Sequence, residues 1–113
     1  MEKVLGIGGF FFRSKTTNAL AKWYADNLGV TATSWEQAAG PTAFQPFPQD
    51  TKYLGDASHA WMLNFRVRDL DAMVAQLHGA GLHVEVDPKD YPYGRFAHLT
   101  DPEGNRIELW QPK

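Results

Sequence analysis

Two rhythms of hydrophobic and polar positions run along this chain, and the sequence of rhythms is written twice. Val4 to Arg13 is apolar and aromatic with no helical period, which predicts a strand. Ser14-Lys15-Thr16-Thr17 then offers hydroxyls suited to capping a helix, and Leu20, Tyr24 and Leu28 form one helical stripe closed by Gly29. In the second half Ala60 to Val67 predicts a strand, Asp69 a cap, and Leu70, Met73, Val74 and Leu77 a buried stripe stopped by Gly79 and Gly81. An offset of 53 residues lays Phe12 on Phe65, Arg13 on Arg66 and Thr16 on Asp69. Short extended segments follow each helix: Val30 to Trp35 and Thr42 to Phe47, then Leu82 to Val86, Arg95 to Leu99 and Asn105 to Trp110. Asp101-Pro102-Glu103-Gly104 reads as hairpin punctuation between the last two. The predicted class is α+β, a β-α-β-β unit repeated, with both helices on one face of a mostly antiparallel sheet.

The period of two divides each strand into faces. Leu63, Phe65 and Val67 separate from Met62, Asn64 and Arg66; Ala97 and Leu99 separate from Phe96 and His98; Ile107 and Leu109 separate from Arg106, Glu108 and Trp110. In the first strand Ile7, Gly9, Phe11 and Arg13 share one side. The apolar sets belong under the helices, which sends the mixed sets to the opposite surface. Curvature of the sheet would make that surface a pocket, apolar with a few placed polar groups. Glu108, between Ile107 and Leu109, is the residue on which function turns.

Composition narrows the classes. A chain of 113 residues with 43% hydrophobic and 21% charged residues is one globular domain. A net charge of -2 with interspersed signs gives no case for nucleic acid or an anionic membrane. No apolar run approaches the roughly 20 residues of a membrane span. The opening MEKVLGIGGFFF lacks a small-residue cleavage signature, so a signal peptide is not expected and a cytoplasmic location is. Without cysteine there is no disulfide, thiolate metal site or cysteine nucleophile.

YGRFAHLTDPEGNRIELWQP resembles the C-terminal signature of the vicinal oxygen chelate superfamily, which groups glyoxalase I, bleomycin resistance proteins, fosfomycin resistance enzymes and extradiol dioxygenases. GGFFFRSKTTNALAKWYADNLGV resembles its opening strand and helix, and NFRVRDLDAMVAQLHGAG the start of its second module. The resemblance implies paired βαβββ modules curled around a cavity, and a homodimer in which two chains often complete each other's sites. Module 1 would cover about residues 1–50, a linker about 48–58 and module 2 about 59–113, all one domain. The family's metalloenzymes take ligands from the first and last strand of each module. Those positions fall on Gly9, on the Phe44-Gln45-Pro46-Phe47 segment, on Met62 and on Glu108, so only Glu108 is retained. Divalent metals need about three or four protein ligands. No cofactor is therefore expected, and a metal, disfavoured, would have only Glu108 with help from His98.

The leading expectation is a metal-independent small-molecule-binding protein of the bleomycin-resistance type. Phe11, Trp35, Met62, Phe96 and Trp110 would line its pocket, with Arg13, Asn64, Arg66, His98 and Glu108 as polar contacts. Arg13 and Arg66, at matching positions, would face an anion together. Against this stands an enzyme, a lyase, isomerase or dioxygenase on a vicinal-oxygen substrate, with His98 and Glu108 as catalytic acid and base or as part of a metal site. A structural dimer with a vestigial pocket is the third possibility. The competing reading of Glu108 is a strand carboxylate paired with an arginine. His59, His78 and His83 match no spaced metal motif. The linker aromatics are expected to pack on a partner chain, and Tyr91 and Tyr93 to act as a lid.

Overall fold

The computed structural model describes residues 1–113 except 32 and 34. Its order is α1 (Thr17–Leu28), β1 (Leu63–Arg66), α2 (Leu70–Gly79), β2 (Glu85–Val86), β3 (Gly94–Thr100) and β4 (Arg106–Pro112). The four strands form one sheet in the order β1-β4-β3-β2, with β1 parallel to β4 and the other pairs antiparallel. The second half thus completes a βαβββ unit, and the predicted α+β class, a mixed sheet with its helices on one face, is the one observed.

Both helices lie where their stripes require. Leu20 and Tyr24 of α1 join Leu70, Val74 and Leu77 of α2 over Val84, Ala97, Leu99, Ile107 and Leu109. Leu70, Leu77, Ile107 and Leu109 are fully buried. α1 ends in a left-handed Gly29 (φ 72°), whose amide donates to the Ala25 carbonyl while that of Val30 donates to Tyr24. α2 begins at Asp69, whose carboxylate accepts from the Ala72 amide at 3.0 Å. Its stop falls at Gly81 (φ 83°), while Gly79 remains inside the helix.

The start of α1 differs from expectation. Thr16 makes no side-chain cap to its own helix. Glu103, from the β3–β4 turn, instead accepts from the Lys15 amide at 2.7 Å and the Thr16 amide at 3.2 Å. It also accepts from the Ser14 hydroxyl at 2.6 Å. A carboxylate at a helix N-terminus meets both orphan amides and the positive end of the dipole. These bonds hold Glu103 down to about 2. Alongside, Tyr24 donates to buried Asp101 at 2.7 Å. The hairpin turn thereby clamps α1 onto the second half.

The first-half strands are a correction. Val4 to Arg13 and Thr42 to Phe47 join no sheet among the described residues, and Val30 to Trp35 falls partly outside them. Val4 is 92% exposed, Phe11 94% and Phe44 88%. A strand requires a neighbour for its backbone groups and a surface to bury one face, and aromatic composition alone supplies neither. These segments spread the chain to a radius of gyration of 14.7 Å, against about 13 Å for a compact domain of this length.

Candidate functional site

Sheet register builds the site. Asn64 on β1 lies opposite Glu108 on β4, Glu108 opposite His98 on β3, and His98 opposite Glu85 on β2. Laterally paired residues project to the same side of a sheet, so these form one row across the face that the helices leave open. Arg66, Trp110 and Phe96 form the next row on the same face. Ala97, Leu99, Ile107 and Leu109 point the other way, into the core.

Glu108 is only 7% exposed. Its Oε1 accepts from Asn64 Nδ2 at 2.7 Å. Its Oε2 accepts from the Tyr53 hydroxyl and lies 2.8 Å from His98 Nε2. A carboxylate only accepts, so the imidazole donates from Nε2. Burial pushes the Glu108 carboxyl up, but bonds from His98, Tyr53 and Asn64 and the charge of His98 outweigh it and hold the group below the usual carboxylate range. The partner set is thus an amide, a phenol and an imidazole, and the arginine pairing weighed from sequence is not made among the described residues. Burial, then the bond to Glu108, pushes the Tyr53 hydroxyl well above the ordinary phenol range and keeps it a donor.

Around this cluster opens a concavity of about 2560 Å³, above the roughly 300–1,000 Å³ of ordinary ligand pockets. Nine of the ten residues expected from sequence line it: Phe11, Trp35, Met62, Asn64, Arg66, Phe96, His98, Glu108 and Trp110. Arg13 does not. It lies in a smaller depression with Lys15, His59, Trp61 and Glu103, so it forms no anion clamp with Arg66. Without strand pairing at Val4 to Arg13, the face assigned to Arg13 by alternation is not imposed. Arg66 itself donates to the Ala38 carbonyl at 2.7 Å. Its guanidinium passes over Gly40, where a Cβ would come within 2.0 Å of Nη1.

One wall is aromatic. Phe96 and Trp110 are parallel within 3° with centroids 6.2 Å apart, and Tyr91 and Tyr93 both meet Phe96 at 5.8 Å. Trp110 Nε1 donates to the Tyr93 carbonyl at 2.9 Å, which fixes its ring. Tyr91 donates to Asp87 at 2.8 Å. The tyrosines therefore brace the wall from its loop.

The described residues of one chain offer a divalent metal one imidazole and one carboxylate, His98 and Glu108. Gly9 and Met62 bring no hard ligand, and no group of three His, Cys, Asp or Glu side chains gathers among the described residues. The two candidates hydrogen-bond each other, and both Glu108 oxygens accept from other donors. What the arrangement offers is an ionised acceptor beside an imidazole on an aromatic floor.

Sequence reading missed Tyr53, which it placed in the linker among aromatics for a partner chain. Its contact with Glu108 spans 55 residues, and no local pattern signals it. Glu85, absent from the expected site residues, extends the polar row and lines the concavity.

A βαβββ unit whose open face carries a buried carboxylate and an aromatic wall defines the class, and comparison with known proteins specifies it. Residues 6–109 match the model of the Glyoxalase/Bleomycin resistance protein/Dioxygenase superfamily, and the chain belongs to that superfamily. It is 33% identical over 98 residues to a provisionally named glyoxylase, CFP32, of Mycobacterium tuberculosis (strain CDC 1551 / Oshkosh), covering 80% of this chain and 38% of that protein. It is 34% identical over 103 residues to the anthracycline biosynthesis protein DauV of Streptomyces sp. (strain C5), covering 88% and 34%. The chain thus spans well under half the length of either relative. Among solved structures it is similar to TnmS3, an antibiotic binding protein from Streptomyces sp. CB03234, with a TM-score of 0.56 and 27% identity over 87% of this chain and 88% of that one. Among the described residues no helix is long and apolar enough to cross a membrane.

Proposed function

We propose that this chain binds a planar aromatic small molecule on the open face of its sheet, without a divalent metal. The observation that carries the reading is the meeting of the Asn64–Glu108–His98 row with the Phe96–Trp110 wall. A flat ring gains area and stacking on the wall, while the ionised Glu108 orients a donor. The antibiotic-binding and anthracycline-biosynthesis relatives support a ligand of this kind. A chain without cysteine suits the cytoplasmic location that is part of the reading.

The protein acts, in this reading, as a homodimer. Val4, Leu5, Phe11 and Phe44 are each at least 88% exposed, an apolar display that isolated domains rarely keep. β1 also ends the sheet with its outer edge unpaired among the described residues. Pairing there with the segment from Val4 to Phe12 of a second copy covers both and narrows the concavity. Sedimentation should give twice the 12.7 kDa chain mass.

Thermal denaturation with a panel of planar aromatic antibiotics, an anthracycline among them, tests binding. A ligand at 100 times its Kd stabilises by about 2.7 kcal/mol, a rise of roughly 10 °C or more. Phe96→Ala and Trp110→Ala should each abolish the rise; a panel that leaves the wild-type melting temperature unmoved refutes the reading. The 2.8 Å His98–Glu108 bond favours one alternative, acid–base turnover of a carbonyl substrate. Turnover lost in His98→Gln while ligand-induced stabilisation persists would establish it.

A further inference from the structure

Tyr53 sits in the site as a ligand would. Its ring stacks on Phe47 with centroids 5.7 Å apart and planes within 6°. The His98 ring meets it edge-on at 5.4 Å and 90°. The Arg106 guanidinium lies over it at 6.0 Å. Its hydroxyl donates to Glu108 Oε2. A face, an edge, a cation and an acceptor together are a complete receptor for a phenol.

Among the described residues, the backbone that delivers this phenol makes local backbone hydrogen bonds. Thr51 N donates to the Pro48 carbonyl, Gly55 N to Lys52 and His59 N to Asp56, all bonds within the turns. Tyr53 is 41% exposed and stands outside the core cluster. The side chain is thus held by the site, and the site does not need it for the fold.

From this geometry we infer that Tyr53 is a resident stand-in for the ligand: the subsite beside Glu108 takes the hydroxyl of a hydroxylated aromatic, which enters by displacing Tyr53. The inference deepens the reading of an aromatic-binding site and rests on it. It also assigns selectivity. Glu108 offers acceptors only, so it selects a phenol, which donates, over a benzoate, which repels it, and over a bare arene, which leaves it unpaired. Phe47, His98 and Arg106 become ligand contacts, and the segment from Pro48 to His59 becomes the element that moves aside.

The test uses p-cresol, the side chain of tyrosine as a free molecule, with toluene and p-toluate as controls. Tyr53→Ala vacates the subsite. Melting temperatures should give p-cresol an affinity roughly tenfold or more higher in Tyr53→Ala than in wild type. In the variant they should also favour it by a similar factor over both controls, since a bond to a charged acceptor is worth that much. Tyr53→Phe, which keeps the ring but loses its hydroxyl bond to Glu108, should gain an intermediate amount, less than Tyr53→Ala. Equal binding of p-cresol and toluene, or no gain in Tyr53→Ala, overturns the inference. A second readout serves if that variant does not fold. In the wild type, high p-cresol should accelerate tryptic cleavage after Lys52 where toluene and p-toluate do not, and an unchanged rate overturns the inference. Antibiotics that stabilise the wild type while p-cresol fails both tests would remove the Tyr53 subsite and leave the aromatic-binding reading standing.

Discussion

Replacing Tyr24 by phenylalanine should measure how firmly the first half of the chain is held to the second. The Tyr24 hydroxyl donates to Asp101 Oδ2 at 2.7 Å, and the two residues are 6% and 4% exposed. Asp101 also accepts from Asn105 Nδ2 at 2.7 Å, Asn105 N at 3.0 Å and Glu103 N at 2.9 Å. Phenylalanine keeps the ring contacts with Trp23 at 5.0 Å and Phe65 at 6.4 Å, so the hydroxyl is all that is lost. A hydrogen bond to a charged group contributes about 1.5–3 kcal/mol. Tyr24→Phe should therefore cost about 2 kcal/mol, or roughly 10 °C in Tm for a domain of this size. The assay is urea denaturation at unchanged m-value.

Asp101→Ala removes all four acceptor contacts and strands buried backbone amides, at a cost of about 3 kcal/mol or more. In that background Tyr24→Phe should cost less than about 0.5 kcal/mol, because the partner is already gone. Equal cost in both backgrounds, or a negligible cost in wild type, refutes the junction. Alkali offers a second test. Burial, and then the Asp101 bond, hold the Tyr24 hydroxyl far above its ordinary 10.0. A raised folded pKa gives stability that is complete below pH 10 and is lost as pH rises further. Tyr24→Phe should flatten that alkaline loss, leaving the slope from Tyr53, which has the same sign.

At the acid end the sign reverses. Glu108 titrates below its ordinary 4.5, so its contribution is complete above that pH and is lost as pH falls further; Glu108→Gln should flatten the acid limb of Tm against pH. Glu103, lowered to about 2, loses its hold on α1 over the same descent, and Glu103→Gln should speed amide exchange in the first turn of α1 while leaving β3 and β4 protected. Gly94 has φ 135°, and a Cβ there would lie 2.3 Å from the Gln111 carbonyl and 2.6 Å from Trp110 Nε1. Gly94→Ala should destabilise by about 2 kcal/mol, and a shifted tryptophan emission should report the unseated Trp110.

How much of this was written in the sequence depends on how far each feature reaches. The two helices were legible because their stripes, Leu20 with Tyr24 and Leu70 with Val74 and Leu77, are local repeats closed by glycines that adopt positive φ. Alternation also assigned Asn64, His98 and Glu108 to the open face, since parity along a strand is local. Their arrival in a single row was not legible, because register is fixed by pairing between strands far apart in the chain. Clamps from afar stayed hidden for the same reason. The hydroxyls around Thr16 predicted a self-cap, yet a capping oxygen can come from any segment that reaches the orphan amides, and Glu103 does so from 87 residues away.

The first-half strands mark the opposite error. Phe10, Phe11 and Phe12 have the composition of a strand, but composition describes what a segment can pair with, and pairing needs a second edge. Where the edge exists, as for β3 and β4, the sides that alternation assigned held: Ala97, Leu99, Ile107 and Leu109 lie in the core, with Phe96, His98, Glu108 and Trp110 on the other face. Where it does not, alternation placed Arg13 on a face that is not there. Tyr53 combines both lessons. It lies in a turn-rich segment with no period to read, and its position is set by a carboxylate that only the folded sheet assembles. A residue placed solely by the site it occupies is invisible to any local rule, and for that reason its displacement by a ligand leaves the pairings that built the site untouched.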